Sequence, residues 1–412
     1  MFQKRLGGPA FRGKAPGTDR PDSMSQRTYL DWNATAPLRP QARDAMAAAM
    51  AVVGNPSSVH AEGREARRIL EEARERLAAA VRAEPRNVIF TSGGSEANAL
   101  ALSRAIEHAG APCDGAIASG IEHVSVLAGG DFPSVERFGA DRDGLASIAG
   151  LQERLGVAAA KGLRSPLVAL MAANNETGVI QPVREAADLA HAAGGLLHVD
   201  AVQALGKMPL DIKQLGADLV AVSAHKIGGP MGVGALILGN DRLHVRASRF
   251  GGGQERNRRG GTENLIGIAG FGAAVAEAVR DLDGEARRLA GLRQRLEVGL
   301  RAVWPETIIF GENAPRGRVA NTLQFAVPGI KAQTALMALD LDGIAVSSGS
   351  ACSSGTMKFS EVVKAMGYAL EIAEGAVRVS TGWATSEAEI DRFLQAWRKL
   401  SQPLLKSREI AA

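Results

Sequence analysis

Short apolar runs recur along the chain at residues 167–172, 196–199, 219–222 and 235–238, with helical or polar stretches between them. Runs of this length are too brief for core helices, and their near-continuous hydrophobicity matches strands buried on both faces. Upstream, residues 62–82 place Ala66, Ile69, Leu70, Ala73, Leu77 and Val81 on one side of a helix and charges on the other. Residues 87–91 read as a strand that runs through a Gly-Gly-Ser turn into a second helix. Such alternation predicts an α/β domain with a largely parallel sheet covered on both faces. After Gly272 a long helical stretch through Leu300 leads to a second lobe, with strands expected at 319–327, 344–347 and 377–380.

Composition removes several classes of function. The longest purely apolar run, residues 45–53, falls well short of the roughly 18 residues that a membrane span needs. Two cysteines, Cys113 and Cys352, cannot build a disulfide framework, and a reducing, cytoplasmic setting follows. The formal charge of +4 is localised: residues 1–27 hold Lys4, Arg5, Arg12, Lys14, Arg20 and Arg27 against Asp19 and Asp22. The remainder is neutral, which argues against nucleic acid as a partner. The Gly- and Pro-rich leader has no hydrophobic period and is expected to be disordered, with Met24 as a candidate start.

The segment LLHVDAVQALGKMPLDIKQLGADLVAVSAHKIGGPMGVG (196–234) carries the strongest chemical signal. One buried run ends on Asp200 and the next on Ser223-Ala224-His225-Lys226. Ligands of open α/β sheets bind beyond the carboxyl ends of the strands, so both charges face one crevice. Desolvation there lowers a lysine pKa and frees the amine for a Schiff base. A carboxylate on the neighbouring strand is what a pyridinium nitrogen requires. A buried Asp–Lys ion pair is the competing reading. Residues 91–96 (TSGGSE) follow a strand and open a helix, so their free N–H groups can hold a phosphate, although an ordinary tight turn fits as well. Ser223 and His225 flank Lys226 and could reach the same group, and the Asn174–Gly178 stretch adds amides at the same sheet edge.

With these motifs in place, the sequence resembles the cysteine desulfurases of NifS/IscS type, a branch of the class V, fold-type I pyridoxal-phosphate enzymes. The resemblance rests on YLDWNATAP (29–37), GNPSSVH (54–60), FTSGGSEAN (90–98), EHVSV (122–126), NNETGVIQP (174–182), HVDAVQALGK (198–207), SAHKIGGPMGVGAL (223–236), GGGQERNRRGGTEN (251–264) and SSGSACSSG (347–355). It implies an α/β architecture, the pyridoxal-phosphate-dependent transferase fold type I. A large domain with a mainly parallel seven-stranded sheet would span 41–285. A smaller α+β domain would span 286–405, with residues 28–40 as its N-terminal segment and the cysteine loop at 347–360.

By the same resemblance Lys226 binds pyridoxal 5'-phosphate, Asp200 pairs with its ring nitrogen, and His123 lies over the ring and transfers protons. Asn175 and Gln203 would sit near the phenolic oxygen, and Gly94, Ser95, Ser223 and His225 on the phosphate. Thr262 would reach the phosphate of a partner subunit, which implies a homodimer with shared sites. Arg378 would clamp the substrate carboxylate, with Asn175 beside it. Cys352 would take sulfur from L-cysteine as a persulfide, leaving alanine, and pass it to a scaffold protein of iron–sulfur cluster assembly. No resident metal is implied, and Cys352 is at most a transient ligand of a cluster iron. Cys113 is read as incidental.

Two departures stand out. Ser95 replaces the commoner threonine, and Met357-Lys358-Phe359-Ser360 replaces the usual Leu-Glu-Pro-Ser, which bears on loop rigidity and acceptor preference rather than on the chemistry. A selenocysteine lyase or another class V enzyme is the alternative activity. A sulfur-relay scaffold without catalysis is disfavoured, because Lys226 and Cys352 are both retained.

Overall fold

The computed structural model describes residues 27–108, 110–247, 250–349 and 359–411. Residues 1–26 of the leader and residues 350–358, with Cys352, Met357 and Lys358, lie outside the described residues.

Seven strands build the central sheet: β1 (Val88–Thr91), β2 (Gly115–Ser119), β3 (Val135–Phe138), β4 (Pro166–Ala169), β5 (Leu196–Asp200), β6 (Leu219–Ser223) and β7 (Gly234–Leu238). Their spatial order is β1-β7-β6-β5-β4-β2-β3. All are parallel except β7, which runs antiparallel to β1 and β6. The pleat divides each strand between two cores: Val220 and Val222 of β6 join one cluster, Leu219 and Ala221 the other. Burial on both faces is why these strands read as unbroken apolar runs.

The sequence reading found five of the seven. It passed over β2 (GAIAS), whose glycine and alanines are depleted in strands, and β3 (VERF), an edge strand of mixed polarity. Pairing decides the state of β2, which lies between β3 and β4 with Ile117 opposite Val168. The long helix expected after Gly272 is two helices, α1 (Leu265–Arg280) and α2 (Leu282–Val303). Asp281 breaks the run at φ −136, ψ 58, and its carboxylate caps the second helix on the Gly284 N–H at 3.1 Å.

A three-stranded antiparallel sheet follows, β8 (Ile308–Ile309), β9 (Thr322–Ala326) and β10 (Val377–Ser380), with β9 central. Phe325 of β9 packs edge-on against Trp397, ring centroids 4.9 Å apart, and Phe393 stacks on the same indole. Burying each such side chain contributes about 1.5–3 kcal/mol. Leu30 belongs to this cluster, because Thr28–Tyr29 pairs in parallel with Ile344–Ala345. The first residues of the described chain thereby lie against its last sheet, and the Asn33 N–H donates to Ser380 Oγ at 2.9 Å.

Candidate active site

The carboxyl ends of the parallel strands converge on one cavity of about 290 Å³. β1 leads into helix α3 (Gly94–Ala101), and Gly94 and Ser95 at its start line the cavity. A Cβ on Gly94 would come within 2.8 Å of Val202 Cγ2 and 3.4 Å of Ser223 Cβ, so only glycine lets the helix start sit this close to β6. β2 ends before His123, β4 before Asn175, β5 on Asp200 and β6 on Ser223, with His225 and Lys226 just beyond. Gln203 follows β5, and Arg378 enters from β10 of the second sheet. Ten of the twelve residues singled out from sequence thus share one cavity.

The Lys226 amine donates to the carbonyls of Asn33 and Ala34 at 2.7 and 2.9 Å. Asp200 accepts from Asn98 Nδ2 at 2.8 Å and from the Val202 N–H at 3.0 Å. Arg378 gives Nη2 to Asp31 Oδ1 at 2.7 Å and Nη1 to the Asn175 carbonyl at 3.0 Å. Burial, with the charges of Lys226 and Lys207 beside it, pushes His225 down to about 4, so its ring is neutral at neutral pH. Three buried atoms on cavity residues have no partner among the described residues: Ser223 Oγ, Asn175 Oδ1 and Arg378 Nε. The hydroxyl and the guanidinium N–H can donate to an anionic group, and the amide oxygen can accept from a donor, so the cavity suits a polar ligand.

Several residues of the site carry no sequence signal of their own. Asn33 is 1% exposed and joins three parts of the chain. Its Nδ2 donates to Thr322 Oγ1 and to the Asn175 carbonyl, while Oδ1 accepts from Lys207 Nζ at 2.9 Å and Asn321 Nδ2 at 3.0 Å. Lys207 is a second buried amine, also bonded to Gln203 Oε1, and burial with the nearby charges of Lys226 and Arg378 drives it far below the usual lysine range. Asn98 bridges Asp200 and Ser125. The motif strings contain Asn33, Lys207 and Asn98, but only the folded arrangement shows what each one touches.

Thr262 lies apart from these residues, in a cavity of about 110 Å³ with Arg259 and Asn264. The turn leading to it holds three successive non-glycine residues in the left-handed region, Glu255, Arg256 and Asn257, at φ 47, 58 and 63. A buried pair offsets that strain: Glu255 takes two bonds from Arg74, at 2.9 and 3.1 Å, and one from the Phe90 N–H. Cys352 is outside the described residues, but Gly349, three positions before it, lines the main cavity. Beyond the loop, Ser360 is buried, caps the next helix on the Val363 N–H at 3.0 Å and donates to Glu176. Cys113 is buried in the core, where burial raises its thiol to about 11, which leaves it inert. Among the described residues no helix is long and apolar enough to cross a membrane, and no cluster of three or more His, Cys, Asp or Glu side chains could hold a metal.

Known proteins resemble this chain in sequence and in fold. The family model for class-V aminotransferases matches residues 28–393. A cysteine desulfurase of Cereibacter sphaeroides is 42% identical over 381 residues, spanning 90% of this chain and 94% of its own. The cysteine desulfurase IscS of Dictyoglomus turgidum is 36% identical over 392 residues, spanning 92% and 96%. The X-ray structure of a NifS-like protein from Rickettsia africae matches with a TM-score of 0.82 at 32% identity, over 92% of this chain and 100% of that one. A fold and a sequence likeness that agree over nine-tenths of the chain leave one assignment: it belongs to the class-V aminotransferase family and, within it, to the cysteine desulfurases.

Proposed function

We propose that the protein is a cytoplasmic, pyridoxal-phosphate-dependent cysteine desulfurase that moves sulfur from L-cysteine to Cys352, releases L-alanine, and supplies an iron–sulfur scaffold protein. One observation carries this reading: Lys226, Asp200, His123, Arg378 and the start of helix α3 surround a single cavity that Gly349 also reaches.

The residues present fit the cofactor. Lys226 would hold it through its amine, and Asp200 would face its ring nitrogen. Gln203 and Asn175 would face the phenolic oxygen. The first N–H groups of α3, with Ser223 Oγ and His225, would take the phosphate. When bound, pyridoxal phosphate supplies an electron sink for negative charge at the substrate α-carbon. Arg378 orients the substrate by its carboxylate, and its Nε, which has no partner among the described residues, is a donor for that group. His123 carries protons to and from the substrate. The Cys352 thiolate attacks the substrate sulfur: an S–S bond forms as the C–S bond breaks, and the electron pair left on carbon takes a proton to give alanine. Thr262, set apart from Lys226, would serve the cavity of a second copy in a homodimer.

The test is direct. Holoenzyme given L-cysteine and a reductant should release alanine and sulfide in equal amounts. Cys352→Ala should abolish turnover while the cofactor's absorbance stays, and Lys226→Ala should remove the absorbance of the covalently held cofactor. A wild-type protein that forms no alanine refutes the proposal.

A further inference from the structure

Asn98 sits inside helix α3 at 1% exposure with every polar atom of its side chain engaged. Its Nδ2 donates to Asp200 Oδ2 at 2.8 Å and to Ser125 Oγ at 2.9 Å, and its Oδ1 lies 2.9 Å from His198 Nε2. The Asp200 carboxylate only accepts, which fixes the amide's orientation: NH2 toward Asp200 and Ser125, oxygen toward His198. That orientation sets the tautomer of His198. It is wholly buried, burial pushes it down to about 4, and the amide oxygen facing Nε2 places the neutral ring's proton there.

The assignment propagates one step further. Ser125 Oγ accepts from Asn98, so its own proton is free to donate to His123 Nδ1, 2.7 Å away. The Ser125 backbone N–H approaches the same nitrogen at 3.2 Å. A ring nitrogen that accepts two donors carries no proton, so the neutral imidazole is protonated on Nε2.

We infer that Asn98 is a positioning residue that ties Asp200 to His123 through Ser125 and fixes neutral His123 as the Nε2–H tautomer, so that Nε2 is a hydrogen-bond donor in that state. The tautomer stands on the hydrogen bonds alone, while its consequence for rate rests on the desulfurase reading above. Asn98 needs no contact with the substrate. It acts by orienting two groups that the reaction uses at once.

The experiment uses holoenzyme labelled with 15N-histidine, read by long-range 1H–15N correlation, with His123 assigned from the signal lost in His123→Gln. Wild type should show His123 Nδ1 unprotonated and Nε2 protonated at neutral pH. Asn98→Asp keeps the shape but loses both donors, and Ser125→Ala removes only the hydroxyl. Each should mix the two tautomers. Each should also lower kcat for alanine formation by about tenfold or more, up to the roughly 10²–10³ that one preorganised donor contributes, with KM for cysteine unchanged. A wild-type His123 protonated on Nδ1, or variants that leave the tautomer and kcat unaltered, would overturn the inference. Should Asn98→Asp fail to fold, Ser125→Ala decides alone. Wild type that makes no alanine defeats the desulfurase reading instead, and the nitrogen signals still decide the role of Asn98.

Discussion

Asn33 offers the sharpest quantitative prediction, because one small side chain joins the start of the described chain to both sheets. Asn33→Ala removes four hydrogen bonds: two donated, to Thr322 Oγ1 and the Asn175 carbonyl, and two accepted, from Lys207 Nζ and Asn321 Nδ2. At a net of about 0.5–1.5 kcal/mol each, the gross loss is about 2–6 kcal/mol. Each partner keeps another bond. Thr322 still donates to Asn321 Oδ1, Asn321 to the Thr381 carbonyl, Lys207 to Gln203, and the Asn175 carbonyl still accepts from Arg378. The expected cost is therefore in the lower half, about 2–4 kcal/mol, or a fall in Tm of about 2–5 °C for a chain of this size. Thermal unfolding of the apoprotein followed by tryptophan fluorescence suits the question, since Trp32 packs edge-on against Trp383 at 5.8 Å beside this junction. Lys207→Met supplies the control. With the amine gone, Asn33→Ala should cost about 1 kcal/mol less than in wild type, the share of the Lys207 bond. A Tm unchanged within about 1 °C, or a cost equal in both backgrounds, would show that the hub carries no net energy.

What the sequence made legible, and what it did not, follows from the range over which each signal acts. Asp200 and Lys226 could be read because each breaks an apolar strand at its carboxyl end, a local pattern with a general meaning. The helix start at Gly94 was visible for the same reason. β2 was not, because its Gly and Ala residues state no preference and its place is set by neighbours on either side. Asn33 and Asn98 stayed silent for a different reason. Asn33 meets Asn321, 288 residues away, and Asn98 meets Asp200, 102 residues away. An asparagine's local environment gives no hint of such partners. The split of α1 from α2 was in principle readable, since Asp281 followed three residues later by Gly284 is an N-cap inside a helical pattern. Thr262 shows the limit of a single chain: its strained approach is explained by Glu255 and Arg74, while its cavity lacks the other residues of the site.

Two further predictions follow. Arg378→Lys keeps the charge but loses the forked donors that now hold Asp31 and the Asn175 carbonyl. Loss of one charge-assisted bond, about 1.5–3 kcal/mol, should raise KM for L-cysteine by about 10- to 100-fold with little change in kcat, and a fall confined to kcat would contradict the assignment. The second concerns pH. His198 titrates at about 4 in the folded protein, because burial opposes its charge, against 6.5 for the unfolded chain. Above pH 6.5 both states are neutral and the full stability is present. Below it the unfolded state binds the proton first, so stability falls by up to about 1.4 kcal/mol per pH unit until the folded value is reached. At pH 5 the loss from His198 is about 2 kcal/mol. Glu122 and Glu176, whose carboxyls burial raises, contribute the opposite slope, since their folded forms take up protons before the unfolded chain does. The decisive quantity is therefore a difference: urea midpoints of wild type and His198→Gln, each at pH 7.5 and pH 5. Wild type should lose more stability than the variant on acidification. Equal losses would mean that His198 is not held neutral in the fold.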